Sequence, residues 1–217
     1  MSNIINCLKK NKYEEAFSII LKNIISRKLL RFNDIRIFRL DDFSKVRSPK
    51  AKIEIVYATY IHLDKFLAYG LTENTVKDRF NRNDFCRLAL IGDEVVGMLW
   101  FSLRKDFLQE LQYSHLKSND AVWFYGAYID PKFRMQGIYM HLISDAKLMA
   151  EQNGFTALEA HVDFDNTISI KSHQRLGFRV IKRIVAFQLP WFSIEFNKAP
   201  ESHVGINFLR NKKGRNG

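Results

Sequence analysis

A strand-like run, Val122 to Ile129, passes into Asp130-Pro131-Lys132-Phe133-Arg134-Met135-Gln136-Gly137 and then directly into an amphipathic pattern. These residue types in this order can hold a phosphate. The first turn of a helix leaves backbone N–H groups without intrahelical acceptors, and the helix dipole favours an anion there. Gly137 has no Cβ and lets the backbone approach a ligand closely, while Arg134 adds a cation. The chemistry implied is capture of a phosphorylated molecule at a helix start. Nothing in the spacing of His, Cys and carboxylates suggests a metal site. The two cysteines, Cys7 and Cys86, form no framework, which fits a reducing compartment, the cytoplasm.

The elements that must position this turn follow from periodicity. Tyr13 to Leu30 carries Ala16, Ile19, Ile20 and Ile24 at helical spacing and predicts an amphipathic helix. Asp34 to Leu40 reads as a short extended piece, and Ser48-Pro49-Lys50 as a junction. Lys52 to Thr59 alternates as a strand. Helices are expected over Ile61–Tyr69 and Glu73–Arg82, the second capped by Thr72. Arg87–Ile91 and Val95–Leu103 flank Gly92-Asp93-Glu94, a hairpin signal. After the strand Val122–Ile129 come a helix from Gly137 to Gln152 stopped by Asn153-Gly154, a strand Ala157–Val162, a helix Thr167–Arg175 and a strand Phe178–Leu189. The antiparallel hairpin and the parallel strand–helix–strand unit predict an α/β fold with a mixed sheet.

Charge divides the chain. The formal net charge is +11, with +7 in residues 1–50, +4 in residues 198–217 and none between. A neutral middle argues against a nucleic-acid face built into the fold, so no nucleic-acid partner is expected. The basic helical N-terminal segment is a candidate for peripheral contact with acidic lipid. No run is long and apolar enough to span a bilayer, and no signal peptide is seen.

Two motifs then carry a resemblance. Ile129-Asp130-Pro131 followed by Arg134-Met135-Gln136-Gly137-Ile138-Tyr139 is similar to Val-x-Pro and Arg/Gln-x-x-Gly-x-Gly/Ala of the GNAT superfamily, the acyl-CoA-dependent N-acetyltransferases. Asn166, Ser169, His173, Gly177 and Phe178 match that family's Asn-x-x-Ser/Ala-x-x-x-Tyr-x-x-x-Gly-Phe. The resemblance covers about residues 52–190. It implies a GNAT-like mixed, mostly antiparallel central sheet flanked by helices, with a basic helical N-terminal extension (1–50), an acyltransferase domain (51–190) and a basic C-terminal tail (191–217).

The resemblance also implies roles. Strands ending at Ile129 and Val162 would splay into a cleft. Backbone groups of Tyr128 and Ile129 would bond the acetyl carbonyl and the pantetheine amides. The N–H groups of Met135, Gln136, Gly137, Ile138 and Tyr139 would cradle the pyrophosphate of acetyl-CoA, the acyl donor, with Arg134 helping. Asn166 and Ser169 would lie at the pantetheine arm. His173 would protonate the departing thiolate, and His161 is a candidate base for the acceptor amine. Two residues depart from the pattern: Tyr139 stands where Gly or Ala is usual, and His173 where Tyr is usual. The strand leading to Ile129 holds no carboxylate, so a base on that strand is absent. His115 and His141 read as surface residues.

The expected reaction is N-acetylation of a primary amine by direct attack in a ternary complex. A small-molecule acceptor is expected, an amino sugar of surface-polysaccharide synthesis being the specific reading. A peptide or protein amine, or a non-catalytic acyl-CoA-binding module, are the alternatives. Tyr57, Tyr60, Phe66, Tyr69 and Phe80 are candidates to line the acceptor cleft, with core packing the expected role of most.

Overall fold

The computed structural model describes residues 12–14, 16–17, 31–46, 53–110, 113–189, 192–199 and 205–210. Nine strands and five α-helices occur among them: β1 (Arg31–Leu40), β2 (Glu54–Tyr57), α1 (Leu63–Ala68), α2 (Glu73–Asn81), β3 (Phe85–Ile91), β4 (Glu94–Ser102), α3 (Phe107–Glu110), β5 (Ala121–Ile129), α4 (Ile138–Gln152), β6 (Ala157–Asp163), α5 (Thr167–Arg175), β7 (Arg179–Gln188), β8 (Phe192–Lys198) and β9 (Gly205–Arg210). The expected order from β2 to β7 is present. The strands are mixed in direction and mostly antiparallel, with β5 and β6 parallel. No helix among the described residues is long and apolar enough to cross a membrane.

The ends of the chain depart from expectation. The segment predicted as a short piece from Asp34 is the ten-residue strand β1. Its alternation is broken because both faces are covered: Ile37 and Phe38, neighbours in sequence, are both fully buried. Residues 191–217 were expected to be a basic tail, yet they supply β8 and β9, paired antiparallel from Phe192↔Arg210 to Asn197↔Gly205. Ser193, Glu195 and Asn197 of β8 are buried, so its polar residues point inward and mimic an unstructured composition. Of the helix expected over Tyr13–Leu30, residues 13–14 and 16–17 are helical, and the remainder lies outside the described residues, as does the junction at Ser48-Pro49-Lys50.

The chain divides into two compact units, and the division does not fall near residue 50. One comprises Met1–Phe38, Asp106–Leu116 and His161–Gly217; the other comprises Arg39–Lys105 and Lys117–Ala160. In the second unit the strand order is β2-β3-β4-β5-β6. One face of this sheet carries a core of Phe66, Val76, Leu88, Met98 and Trp100, with Tyr125 and Tyr128 packed against it. The other face takes α4, which buries Ile138, Leu142, Ile143, Ala146 and Ala150. Arg87 of β3 donates two hydrogen bonds to Asp145 of α4, at 2.7 and 2.6 Å, and lies over the Tyr57 ring. Thr72 caps α2 as predicted, its hydroxyl accepting from the Thr75 N–H. The hairpin turns at Gly92, where φ is +59°.

The first unit holds β7, β8 and β9 in order, with β1 beside β7. Asp34 of β1 is buried and accepts from Arg183 of β7 at 3.0 and 2.7 Å. Glu195, fully buried on β8, accepts from the backbone and hydroxyl of Ser114. Asp34 and Glu195 are thus partnered, as desolvation requires, whereas the side-chain amide of Asn197 on β8 is buried with no hydrogen-bond partner among the described residues.

Candidate functional site

The turn predicted to hold phosphate lies wholly in the second unit. Residues Ala121 to Phe124 of β5 are buried, whereas Gly126 and Ala127 are exposed. Pairing with β6 covers only Ala121↔Ala157, Val122↔Leu158 and Trp123↔Glu159, although β5 runs on to Ile129. On the β4 side the register jumps from Trp100↔Tyr125 to Met98↔Tyr128, so Gly126 and Ala127 together oppose Leu99. This is a β-bulge, with Gly126 at φ +58°. Past Trp123 the register with β6 ends, and Gly126 and Ala127 are exposed. Sequence reading missed the bulge. Its signal was a glycine inside a strand pattern.

Beyond Ile129 the chain turns tightly. The Asp130 carboxylate accepts from the Lys132 N–H at 2.9 Å and caps a single 3-10 turn, Pro131–Phe133. Arg134 donates from Nε to the Ile129 carbonyl at 3.4 Å and is otherwise exposed. Met135 adopts φ +66° and is almost fully exposed. Gly137, at φ +79°, is the N-cap of α4 and offers no side-chain acceptor. The first turn of α4 therefore receives no capping hydrogen bond from the side chain of its N-cap residue. Tyr139 is partly buried, and desolvation pushes its phenol upward. Gly97 of β4 is what lets this region close up. A Cβ there would meet Ile129 Cδ1 at 2.8 Å, Ile138 Cγ2 at 3.1 Å and the Tyr128 carbonyl at 3.1 Å.

The second motif lies in the first unit. Asn166 caps α5, its Oδ1 accepting from the Ser169 N–H at 3.1 Å. His173 is 4% exposed and sits against the rings of Phe38 and Phe178, with centroids 5.1 and 5.0 Å away. Its Nδ1 lies 2.8 Å from the Ser169 carbonyl, which can only accept, so Nδ1 carries the proton. Burial pushes its pKa from 6.5 down to about 4. Burial and the Nδ1 contact favour a neutral imidazole at this position over the proton donor expected for the thiolate. At neutral pH it is a neutral imidazole whose proton is committed to its own helix. His161 is also pushed down to about 4, by desolvation first and by His173 second. It is neutral at pH 7, the form a base requires, though a weak one.

Other expected site residues fall into place. Phe66 is fully buried and Phe80 packs on Trp100, so both are core. Tyr69 stacks on Tyr128 at 4.3 Å and donates to the Val95 carbonyl. Tyr57 and Tyr60 are exposed, and Tyr60 donates to Glu73 at 2.8 Å. His141, expected at the surface, is buried on α4, and desolvation lowers its pKa. The buried carboxylate on β6, Glu159, accepts from Arg39 at 2.9 Å and from Ser118 at 2.6 and 3.2 Å, so it is held by structure. Among the described residues no group of three or more His, Cys, Asp or Glu could hold a metal ion.

Comparison with known proteins adds to this geometry. The family model described as "Acetyltransferase (GNAT) family" matches residues 51–178, more than half of the chain. An aminoglycoside N(6')-acetyltransferase type 1 from Acinetobacter genomosp. 13 is 30% identical over 95 residues, 44% of this chain and 62% of that one. The protein of the same description from Salmonella typhimurium is 26% identical over 101 residues, 46% of this chain and 66% of that one. The chain thus spans less than two thirds of the length of these curated relatives. Among solved structures, a protein of the GNAT family from Novosphingobium aromaticivorans shares the fold, with a TM-score of 0.54 at 15% identity, over 76% of this chain and 68% of that one.

Proposed function

Because the chain belongs to the GNAT acetyltransferase family, we propose that it transfers an acetyl group from acetyl-CoA to the primary amine of a small acceptor. The observation that carries the reading is the course of β5. Its ladder with β6 ends at Trp123, Gly126 and Ala127 are exposed, and eight residues after Asp130 the helix α4 begins behind an N-cap without a side chain. Such a course suits a long ligand with amides at one end and phosphates at the other. The backbone of Tyr128 and Ile129 is assigned to the thioester carbonyl and the adjoining pantetheine amides. The N–H groups from Met135 to Tyr139, with Arg134, are assigned to the pyrophosphate. On the motif they share with the family, Asn166 and Ser169 are assigned to the pantetheine arm. Asn166 retains its side-chain N–H groups for a ligand carbonyl, since its oxygen already caps α5. The reaction is assigned to residues 51–190.

In this mechanism a neutral amine attacks the thioester carbon. The C–N bond forms as the carbonyl electrons move to oxygen, where backbone donors stabilise the charge. Collapse breaks the C–S bond, the thiolate leaves, and the nitrogen releases one proton. His161 is the candidate to receive it. With His173 neutral and its proton committed, the thiolate is protonated from solvent. Catalysis then rests mainly on positioning and on oxyanion donors.

For the acceptor we favour an amino sugar, of the kind that enters surface polysaccharides. Support comes from relatives whose names record acetylation of an aminoglycoside amine. The decisive measurement is calorimetry with acetyl-CoA, followed by thiol release across amino sugars, polyamines, amino acids and peptides. Saturable binding and turnover on an amino sugar are expected. Absence of binding at millimolar acetyl-CoA would overturn the reading.

A further inference from the structure

The two faces of β8 are the reverse of what a solvated strand shows. Ser193, Glu195 and Asn197 are buried, whereas Phe192 and Phe196 are exposed and Ile194 is half-buried. Side chains along a strand alternate between faces, so the polar side of β8 points inward and its apolar side points out. The register carries that apolar side onto both neighbours. Phe187 of β7 and Phe208 of β9 oppose Ile194, and Val185 of β7 and Ile206 of β9 oppose Phe196. Ile206 is 55% exposed and Phe208 74% exposed. β9 stands last in the strand order.

Polar contacts hold this facing in place. Glu195 accepts from the backbone and hydroxyl of Ser114, and Asn207 of β9 donates to the same hydroxyl at 3.0 Å. A slip of β8 by one residue would turn its apolar side inward, but it would break the bonds to Glu195. The outward side chains therefore stay outward. Toward β1 this face is covered: Phe187 meets the buried Phe32 with ring centroids 5.2 Å apart, and Glu14 accepts from Arg183. Phe187 also meets Phe196 edge-on, at 6.3 Å. An apolar row thus begins under cover at Phe32 and ends bare at Ile206 and Phe208.

We propose that the bare face of β8 and β9 is the contact surface of a closed dimer, in which a second copy of this chain packs on it face to face. Phe192, Phe196, Ile206 and Phe208 together leave roughly 400 Å² bare, within the size of patch that marks an interaction site. Two such faces, with the polar rim around them, bury about 1,000 Å² in total, where specific association begins. Sheet faces are suited to this, since their side chains interdigitate across a layer about 10 Å thick. Charge permits it when the two β8 strands run antiparallel. Lys198, exposed at the end of β8, is in register with Arg183, and the apolar pairs lie toward the other end. A two-fold axis crossing the strands at Ile194 places the two copies of Lys198 about 25 Å apart, beyond the screening length of about 10 Å. The contact is then isologous and closes on itself. Lys198 stands at one end of the patch and not around it, which suits a second copy better than an acidic lipid surface. Because residues 198–217 carry a formal +4, lipid is nevertheless the occupant to test against.

The test is sedimentation velocity and light scattering of the full chain over a series from about 1 to about 100 µM. A reversible monomer–dimer equilibrium is expected. Phe208→Glu and Ile206→Lys should each raise its Kd by about tenfold or more. Ile61→Lys is the control, because Ile61 is 85% exposed in the other unit and should leave the equilibrium unchanged. Phe192→Lys, on the neighbouring strand, repeats the test should a β9 variant fail to fold, and circular dichroism with melting identifies which variants are folded. A monomer throughout the series would overturn the proposal. So would a dimer that Phe208→Glu and Phe192→Lys both leave intact, or growth past the dimer with rising concentration. Flotation with vesicles of phosphatidylglycerol and phosphatidylcholine supplies the other arm. A chain that stays monomeric in solution and floats with the vesicles, but loses flotation in Phe208→Glu, would assign this face to lipid instead.

Discussion

His173 shows how an environment sets a role that residue identity leaves open. Between Phe38 and Phe178 it loses hydration, and its pKa falls to about 4. The unfolded chain binds a proton near pH 6.5, whereas the folded chain does so only near pH 4. Stability from this group is therefore full above pH 6.5 and is lost as the pH falls toward 4, on the order of 3 kcal/mol in all. Denaturant unfolding followed from pH 7 to pH 4 should show that loss, and His173→Gln should flatten the slope by up to about one proton. A residue acting as the acid in turnover would instead move the alkaline limb of the rate profile. Gly137 makes a second prediction at this scale. Its φ of +79° is strained for any L side chain, although the space beyond it is open, with only Met140 Cε within reach at 3.8 Å. Gly137→Val should destabilise the fold by about 1–2 kcal/mol. It should also weaken acetyl-CoA binding at least tenfold by calorimetry, because the branched side chain stands at the helix start.

At the scale of elements, the seam between β4, β5 and α4 positions the turn. Gly97 is the contact point, with Ile129, Ile138 and the Tyr128 carbonyl all inside the reach of a Cβ. Gly97→Ala should cost about 1–3 kcal/mol by overpacking. Because Ile129 and Ile138 bracket the turn, acetyl-CoA affinity should drop in the same variant, read by thermal melting and calorimetry together. Across the sheet, Arg87 and Asp145 tie β3 to α4, with side chains 12% and 18% exposed. Removing one partner leaves the other largely desolvated. Arg87→Met should destabilise by about 2–3 kcal/mol, less than a fully buried pair because water still reaches both groups. The double variant Arg87→Met/Asp145→Leu should recover part of that loss, measured by a denaturant cycle.

For the whole molecule, the C-terminal strands mark the largest departure from composition. A chain ended after Leu189 would lose β8 and β9, exposing the ladder edge of β7 and removing the Glu195 acceptor of Ser114. Such a truncation should forfeit cooperative folding, seen as loss of the melting transition or rapid proteolysis. A solvated tail would be removed without effect. β8 escaped the sequence reading because its inward face is Ser193, Glu195 and Asn197. Composition cannot distinguish polar residues left in solvent from those buried on the inner face of a sheet.

What the sequence determined by itself was local. Turn chemistry at Asp130 to Gly137, the caps at Thr72 and Asn166, the glycine of the hairpin and the order of elements from β2 to β7 depend on neighbours within a few residues, and so are legible in a string. The two paired motifs also identified the family before any geometry. What only the tertiary structure decided were properties set by distant partners. The depressed pKa of His173 depends on Phe38. The buried Asp34 is held by Arg183 from a strand far along the chain. The bulge at Gly126 exists because β4 offers one residue opposite two, and Arg79 meets that bulge only because α2 folds over it. Desolvation and charge compensation act through space, so their consequences at the site became visible only once the chain was folded.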